Sequence, residues 1–296
     1  FLLFPIFIFA QGEFNQWRFG YGSGLDFNSG SPTSTWSSIQ STEAAASVSD
    51  CNGDLLFYTD GQTVWSSNNI QMDEGYDLRG VGSVYPGTQG AIIIKRPKSS
   101  AIYYIFTASD IYGINYSVIN MAVNGGLGKV IQKNVKLSGS LTQKLGVTYH
   151  QNEEDIWVMT HYENSNIYEA FLVTQTGVSP TSVKSGVGPT FTSSHGDIKF
   201  NQQGNKVGAV VQDQDLITLA DFNNFTGKVS NSNGIIGAYN SPHGCEFSVS
   251  GNKFYVTAWG NSGGVIQFNV SNNNSTTLSV GETNISSGFK PHGSLQ

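Results

Sequence analysis

The sequence predicts an all-β protein built from repeated antiparallel sheets, and a recurring dipeptide is the first evidence. His-Gly occurs at His195-Gly196, His243-Gly244 and His292-Gly293, with successive histidines 48 and 49 positions apart. The first two copies continue alike, as HGDIKFNQQGNKVGAVV (195–211) and HGCEFSVSGNKFYVTAW (243–259). Each copy has a Gly-Asn-Lys tip followed by an apolar run. Since Gly and Asn tolerate the positive φ of tight turns, each copy predicts a β-hairpin.

The same hairpin pattern recurs towards the amino terminus. It is visible in SVSDCNGDLLFYTDG (47–61), IIIKRPKSSAIYYIFTA (92–108) and YHQNEEDIWVMTHY (149–162). The five hairpin tips lie near positions 53, 100, 154, 204 and 251, at intervals of 47, 54, 50 and 47 residues. One repeat array therefore extends over the whole chain.

We expect a third strand after each hairpin; it is visible in four of the repeats, and three repeats also show a weaker fourth strand. The third strands are INYSVINM (114–121), IYEAFLVTQTG (167–177), LITLADFNNFTG (216–227) and GVIQFNVSNNN (264–274). The fourth strands are VIQKNVKL (130–137), KVSNSNGII (228–236) and TTLSVGE (276–282). Four strands in about 40–50 residues are typical of one blade of a β-propeller. No segment has the 3.6-residue periodicity of a helix, which excludes a solenoid of helix pairs.

Both ends of the array are interpreted as cut. Residues 1–9 (FLLFPIFIF), followed by Ala10-Gln11, resemble the apolar part and cleavage site of a signal peptide. At about nine residues the run is too short for a membrane-spanning helix, which needs about 20; a buried first strand is the alternative. We therefore divide the chain into residues 1–11, a signal-peptide remnant, and 12–296, an incomplete propeller. We expect five to six blades here and seven in the complete domain.

The composition fits an exported β protein rich in loops. Charged residues make up 12% of the chain, about half the usual share of roughly 25%. A net charge of −6, with no basic stripe, excludes nucleic acid as an expected partner. The two cysteines, Cys51 and Cys245, occupy non-equivalent places in distant repeats, and a disulfide needs Cα atoms within about 7 Å. We therefore expect two small buried thiols, with a disulfide as the alternative.

Several ordered motifs carry a family resemblance. They include FGYGSGLDFNSGSP (19–32), SVSDCNGDLLFYTDGQTVW (47–65), TQGAIIIKRP (88–97) and GLGKVIQKNVKL (126–137), with PHG and SLQ at the end of the chain. Together they resemble a family of secreted Bacteroidota proteins of the gliding-motility-associated type. In that family a propeller-like amino-terminal region precedes adhesion-type modules and a sorting domain for type IX secretion. The resemblance implies export and display at the cell surface, and it brings no established catalytic residues.

The repeated histidines are candidate ligand-binding residues. Inner strands of a propeller all begin at the same end of the central channel, so His195, His243 and His292 would form an arc around one mouth. Structural hydrogen bonding to a neighbouring blade is the competing interpretation. A zinc site is disfavoured, because its nitrogens must approach one another to about 3.4 Å, closer than adjacent inner strands are expected to bring them.

The loops between second and third strands fall on that same face. They supply aromatic, carboxylate and amide groups, which suit the capture of carbohydrate or peptide; ordinary solvated turns are the alternative. From these loops, and from the residues ahead of the second blade's inner strand, the further candidates are Tyr85, Gln89, Tyr112, His161, Asp213 and Trp259.

The sequence offers little evidence for catalysis or for a metal. It has no G-x-S-x-G elbow, H-E-x-x-H motif or Walker loop. Asp50, Asn52 and Asp54 have the spacing that begins a calcium loop, but a hairpin turn explains them as well, and no Glu occupies the twelfth position. We name no catalytic residue, metal ligand or cofactor.

We therefore expect a secreted, monomeric β-propeller that serves as a rigid binding or display module at the cell surface. Its partner would be a surface glycan or protein. We expect no cofactor and no membrane span. A propeller hydrolase acting on a carbohydrate or lactone is the alternative, and a structural spacer is the third possibility. The fold alone does not choose among them.

Overall fold

The computed structural model describes residues 12–41, 44–80, 89–139, 141–237, 239–259, 264–270 and 279–287. Within these residues 22 strands form six antiparallel sheets. The strands are β1 Gln16–Phe19, β2 Tyr21–Asp26, β3 Thr33–Gln40, β4 Ala46–Ser49, β5 Leu55–Thr59, β6 Val64–Ser66, β7 Ala91–Lys95, β8 Ile102–Ser109, β9 Gly113–Asn120, β10 Lys129–Ser138, β11 Gly146–Tyr149, β12 Ile156–His161, β13 Ser165–Thr174, β14 Gly177–Phe191, β15 Ile198–Phe200, β16 Lys206–Val211, β17 Leu216–Asn223, β18 Lys228–Ile236, β19 Pro242–Phe247, β20 Lys253–Ala258, β21 Gly264–Asn269 and β22 Ser279–Ser287. Short 3₁₀ turns lie at Gly12–Phe14, Asn124–Gly126 and Gln212–Gln214.

Each sheet is one blade, and its strands follow in chain order from one edge to the other. Blade 1 comprises β1–β3, blade 2 β4–β6, blade 3 β7–β10, blade 4 β11–β14, blade 5 β15–β18 and blade 6 β19–β22. All five predicted hairpins are confirmed, as the first two strands of blades 2 to 6. Innermost strands of neighbouring blades contact one another, as β11 contacts β15 and β15 contacts β19. The fold is therefore a β-propeller, as the repeats predict.

Two parts of the fold depart from the predicted pattern. Blade 1 is formed by residues 16–40, a Gly- and Ser-rich stretch to which no strand is assigned from the sequence. The outer strand of blade 4, β14, runs for 15 residues and contains Pro180 and Pro189. An edge strand tolerates proline, because an N–H that would face solvent is not needed for pairing with the sheet. β14 therefore forms although it contains two residues that usually indicate a loop.

The hydrophobic core lies in layers between the blades. One layer joins blades 4 and 5, for example through Trp157 and Phe222, and another joins blades 5 and 6 through Val210 and Phe254. Similar layers join blades 2 and 3 and blades 3 and 4. Second strands such as β8 and β12 are therefore buried on both faces, which explains why they read as continuous apolar runs.

The packing between blades 5 and 6 leaves no room for a side chain at Gly208 in β16. A Cβ atom at this position would overlap the ring of Phe254 in blade 6. We expect Gly208→Ala to lower the free energy of unfolding by about 1–3 kcal/mol, the usual cost of overpacking a core. Chemical denaturation monitored by tryptophan fluorescence measures this change.

Gly186→Ala in β14 is the matched control. An added Cβ there meets nothing closer than Asn166 Oδ1 at 3.7 Å, and Gly186 is exposed. The control should unfold at nearly the wild-type midpoint. Equal stabilities of the two variants would contradict the tight contact between blades 5 and 6.

Candidate functional site

The segment before an inner strand and the loop between the second and third strands meet at one end of the blades, as predicted. In blade 5 the N–H of Gln212 donates to the carbonyl of His195 at 3.2 Å. Between blades, the N–H of Ser241 donates to Asp215 Oδ1 at 2.7 Å. We call this surface the loop face and define it by residues 110–113, 141–145, 193–197, 212–215 and 239–244. It is built jointly by blades 3 to 6.

A histidine and an aspartate from the candidate set form a direct pair on the loop face. His195 Nδ1 lies 2.9 Å from Asp213 Oδ2, and the same oxygen accepts a hydrogen bond from Ser193 Oγ at 2.5 Å. The side chain of His195 is 27% exposed. Its second ring nitrogen, Nε2, has no hydrogen bond to any residue that the structure describes. The pair therefore presents a fixed imidazole with one nitrogen available to a ligand.

The surroundings of Asp213 keep it ionised. Partial burial would raise the pKa of this carboxyl, but the hydrogen bonds from Ser193 and His195 outweigh burial and lower it below its usual value. A carboxylate holds the proton of a neutral histidine on Nδ1 and leaves Nε2 as an acceptor. The arrangement can accept a hydrogen bond from a ligand or take a proton from it.

Lys144 supports this pair from the neighbouring blade. Its side chain is fully buried, and Nζ donates to the carbonyls of Ser194 and His195 at 2.8 Å each and to that of Ser193 at 3.4 Å. Burial lowers the pKa of Lys144 to about 7, against the opposing influence of Asp197 and other acidic groups. No sequence pattern indicates this residue. A single lysine beside the short strand β11 carries no motif that could have revealed it.

A second polar cluster joins the inner strands next to Lys144. With its amide oriented to suit its neighbours, Gln89 accepts a hydrogen bond from Lys199 Nζ at 2.6 Å and donates to the carbonyl of Leu145 at 2.9 Å. Asp197 is completely buried and lies 3.9 Å from Lys199 Nζ. Glu246 lies close enough to influence this cluster, and its own pKa is raised by burial. Gln89, a sequence-predicted candidate that lies just ahead of β7, therefore links blade 3 to blades 4 and 5.

Two other candidate histidines are buried. His161 stacks on Phe191 with ring centroids 3.7 Å apart, and its Nδ1 hydrogen-bonds the carbonyl of Tyr162 at 2.7 Å. His243 is 4% exposed and stacks parallel to Trp259 at 5.4 Å. Burial lowers the pKa of His161 to about 3, so its imidazole is neutral at physiological pH. Its position makes His161 part of the core of blade 4.

The remaining sequence candidates are Tyr112, Tyr85 and His292. Tyr112 is 41% exposed, and the guanidinium carbon of Arg79 lies 5.4 Å from its ring centroid. Tyr85 and His292 lie outside the described residues.

The cysteines and the possible calcium loop have simple explanations. Both cysteines are free thiols, as expected, but Cys51 is exposed and only Cys245 is buried. Cys51 occupies a hairpin tip rather than a strand facing another blade, which corrects the expectation of two buried thiols. Asp50 Oδ1 accepts hydrogen bonds from the N–H groups of Asn52 and Asp54 at 2.8 and 3.0 Å, as in an Asx turn. In the described part of the chain no three His, Cys, Asp or Glu residues are grouped to hold a metal ion.

Comparison with known proteins identifies the class of fold and goes no further. No family model and no curated protein matches the sequence. A candidate 6-phosphogluconolactonase from Bacteroides fragilis superimposes with a TM-score of 0.54 and 11% identity over 91% of this chain and 79% of its own. Its counterpart from Bacteroides uniformis gives 0.52 and 11% over 85% and 75%. The β-propeller domain of Swd1 from Myceliophteria thermophila gives 0.52 and 9% over 86% and 85%. Among the described residues, no helix has the length and apolar character to cross a membrane.

The burial of His161 predicts a loss of stability in acid. The folded-state pKa of about 3 lies below the ordinary value of 6.5, so the unfolded chain binds a proton that the folded chain does not between these pH values. The stabilising contribution is therefore complete above about pH 6.5 and is lost as the pH falls towards 3. Between pH 6.5 and 4.5 the loss should amount to about 2 kcal/mol. Urea unfolding across this range measures it.

His161→Asn tests the assignment, because an amide can still donate to the carbonyl of Tyr162 but does not titrate. The variant should be less stable at pH 7 and should lose less stability on acidification than the wild type. If both proteins lose the same amount between pH 6.5 and 4.5, His161 is not the source of the acid sensitivity.

Proposed function

We propose that this propeller is an exported recognition module that binds a glycan or protein at the cell surface through its loop face. The observation that carries the proposal is the His195–Asp213 pair, with Nδ1 held by the carboxylate at 2.9 Å and Nε2 left for a partner. The family resemblance of the amino-terminal motifs supports export and surface display. The ligand offers hydroxyl or amide donors, because Nε2 is an acceptor whenever the ring carries its single proton on Nδ1.

The rigidity of the pair favours binding. Ser193 and His195 are held by hydrogen bonds to Asp213, and Lys144 holds the backbone carbonyls of the same segment. A ligand therefore meets groups that are already positioned, which lowers the entropy cost of association. The strands behind the loop face are packed into the layers between blades and do not need to rearrange.

Loss of the acceptor should weaken binding. We expect His195→Ala and Asp213→Asn to reduce retention on arrays of surface glycans and of cell-envelope proteins by at least tenfold. The first variant removes Nε2, and the second no longer holds the proton of the His195 ring on Nδ1 as firmly. Asp54→Asn, on an exposed hairpin tip, is the matched control and should bind as the wild type does. Retention that is unchanged in both loop-face variants would exclude this face as the binding surface.

Hydrolysis of a lactone is the second candidate function, and the same pair supports it. Two structures with the same fold are candidate 6-phosphogluconolactonases, although identities of 11% carry no assignment to this chain. His195 Nε2 would accept a proton from water as its oxygen bonds to the lactone carbonyl, while Asp213 stabilises the imidazolium. The ring C–O bond then breaks, and the imidazolium returns the proton to the alkoxide leaving group.

A lactonase assay separates the two functions. If the chain is a hydrolase, it should accelerate opening of 6-phosphogluconolactone above the buffer rate. His195→Gln should then lower kcat at least a hundredfold, the usual contribution of a general base. A wild-type rate equal to that of buffer would exclude this activity while leaving the binding proposal intact.

A further inference from the structure

A cavity of about 800 Å³ opens at the end of the propeller opposite the loop face. Its walls include the tips of the first hairpins of blades 3, 4 and 5, around Pro97, Tyr149 and Gln202. The inner strands run from the loop face to these tips, so the cavity and His195 lie at opposite ends of the same strands. The volume falls in the range of about 300–1,000 Å³ that is typical of small-molecule sites.

The inner surface of the cavity is mainly apolar. Val48, Ile93 and Val147, from the consecutive inner strands β4, β7 and β11, contribute aliphatic surface. Two aromatic side chains stand at its margin with most of their surface in solvent, Phe14 at 77% and Tyr149 at 62% exposed. Exposed rings beside an apolar depression are unfavourable in water and are a common mark of a binding surface.

The rim of the cavity is polar and balanced in charge. Three basic and three acidic residues contribute to the lining: Lys95, Arg96, Lys98, Glu13, Glu153 and Glu154. Lys98 and Glu154 neutralise each other through an ion pair of 2.8 Å, and Arg96 Nε is occupied by the carbonyl of Gln175 at 2.8 Å. Because neither sign of charge is in excess, the cavity has no electrostatic preference for an anion or a cation.

We propose that this cavity is a second binding site and that it holds a short neutral oligosaccharide. A pyranose ring has an apolar face that packs against an aromatic side chain and a margin of hydroxyl groups that need both donors and acceptors. The exposed rings supply the first requirement and the mixed rim supplies the second. A fatty acid or a phosphorylated sugar would instead require unpaired positive charge. This site does not depend on the His195–Asp213 pair.

The test is binding of neutral oligosaccharides by the whole chain and by variants of Tyr149. An array of neutral and acidic glycans identifies the sugar retained, and titration calorimetry with that sugar gives the dissociation constant. Neutral glycans should be retained in preference to acidic ones. Tyr149→Ala should weaken binding at least tenfold, whereas Tyr149→Phe, which keeps the ring, should bind within about twofold of the wild type. Tyr149 is exposed, so neither substitution should disturb folding.

His195→Ala distinguishes this site from the loop face. It should weaken retention of the ligands that bind the loop face and leave the affinity for the sugar that depends on Tyr149 unchanged. The proposal would be overturned if no neutral oligosaccharide bound at millimolar concentration, if Tyr149→Ala and wild type had equal affinity, or if sugar binding were lost in His195→Ala alone. Retention of aromatic-rich peptides in place of glycans, abolished by Tyr149→Ala, would assign the cavity to a peptide and would likewise refute a sugar site.

Discussion

Face-to-face packing of neighbouring sheets is the constraint on which the rest of this structure depends. A four-stranded sheet cannot bury an apolar face alone, so each blade completes the core of the next one, as Phe254 of blade 6 does by packing closely over Gly208 of blade 5. The apolar layers then set the angle between adjacent inner strands. Every group that projects from the ends of those strands takes its position from this packing.

Polar contacts between blades fix the positions of the functional groups on the loop face. Lys144 of blade 4 extends into blade 5 and binds three consecutive carbonyls ahead of its inner strand. A buried amino group is costly unless its N–H donors are satisfied, and here the carbonyls accept from them. Because the same three residues contain Ser193 and His195, the buried lysine and the partly exposed imidazole belong to one rigid unit. The proposed loop-face site therefore depends on residues from two blades.

The two ends of the inner strands differ in chemical character. The loop face presents an imidazole–carboxylate pair and short polar loops, while the hairpin tips enclose an apolar cavity with exposed rings and a balanced rim. The difference arises from chain direction, since all inner strands begin at one end and turn back at the other. Repetition of one hairpin thus gives two separate surfaces, each assembled from several blades.

Sequence by itself determined the repeat and the hairpins, because these follow from local turn chemistry and period-two patterns. It also determined that the starts of the inner strands and the loops between second and third strands lie at the same end of the blades. The sequence therefore predicts that His195 and Asp213 lie on the same face, although it gives no distance between them. It did not reveal blade 1 or β14, since glycine, serine and proline weaken the strand signal and only packing against other strands overrides it. Tertiary structure alone decided that the ring of His161 lies in the core, that the ring of His195 is partly exposed, and that Lys144 is buried. Burial and hydrogen bonding between blades depend on residues distant in sequence, and no local pattern encodes them.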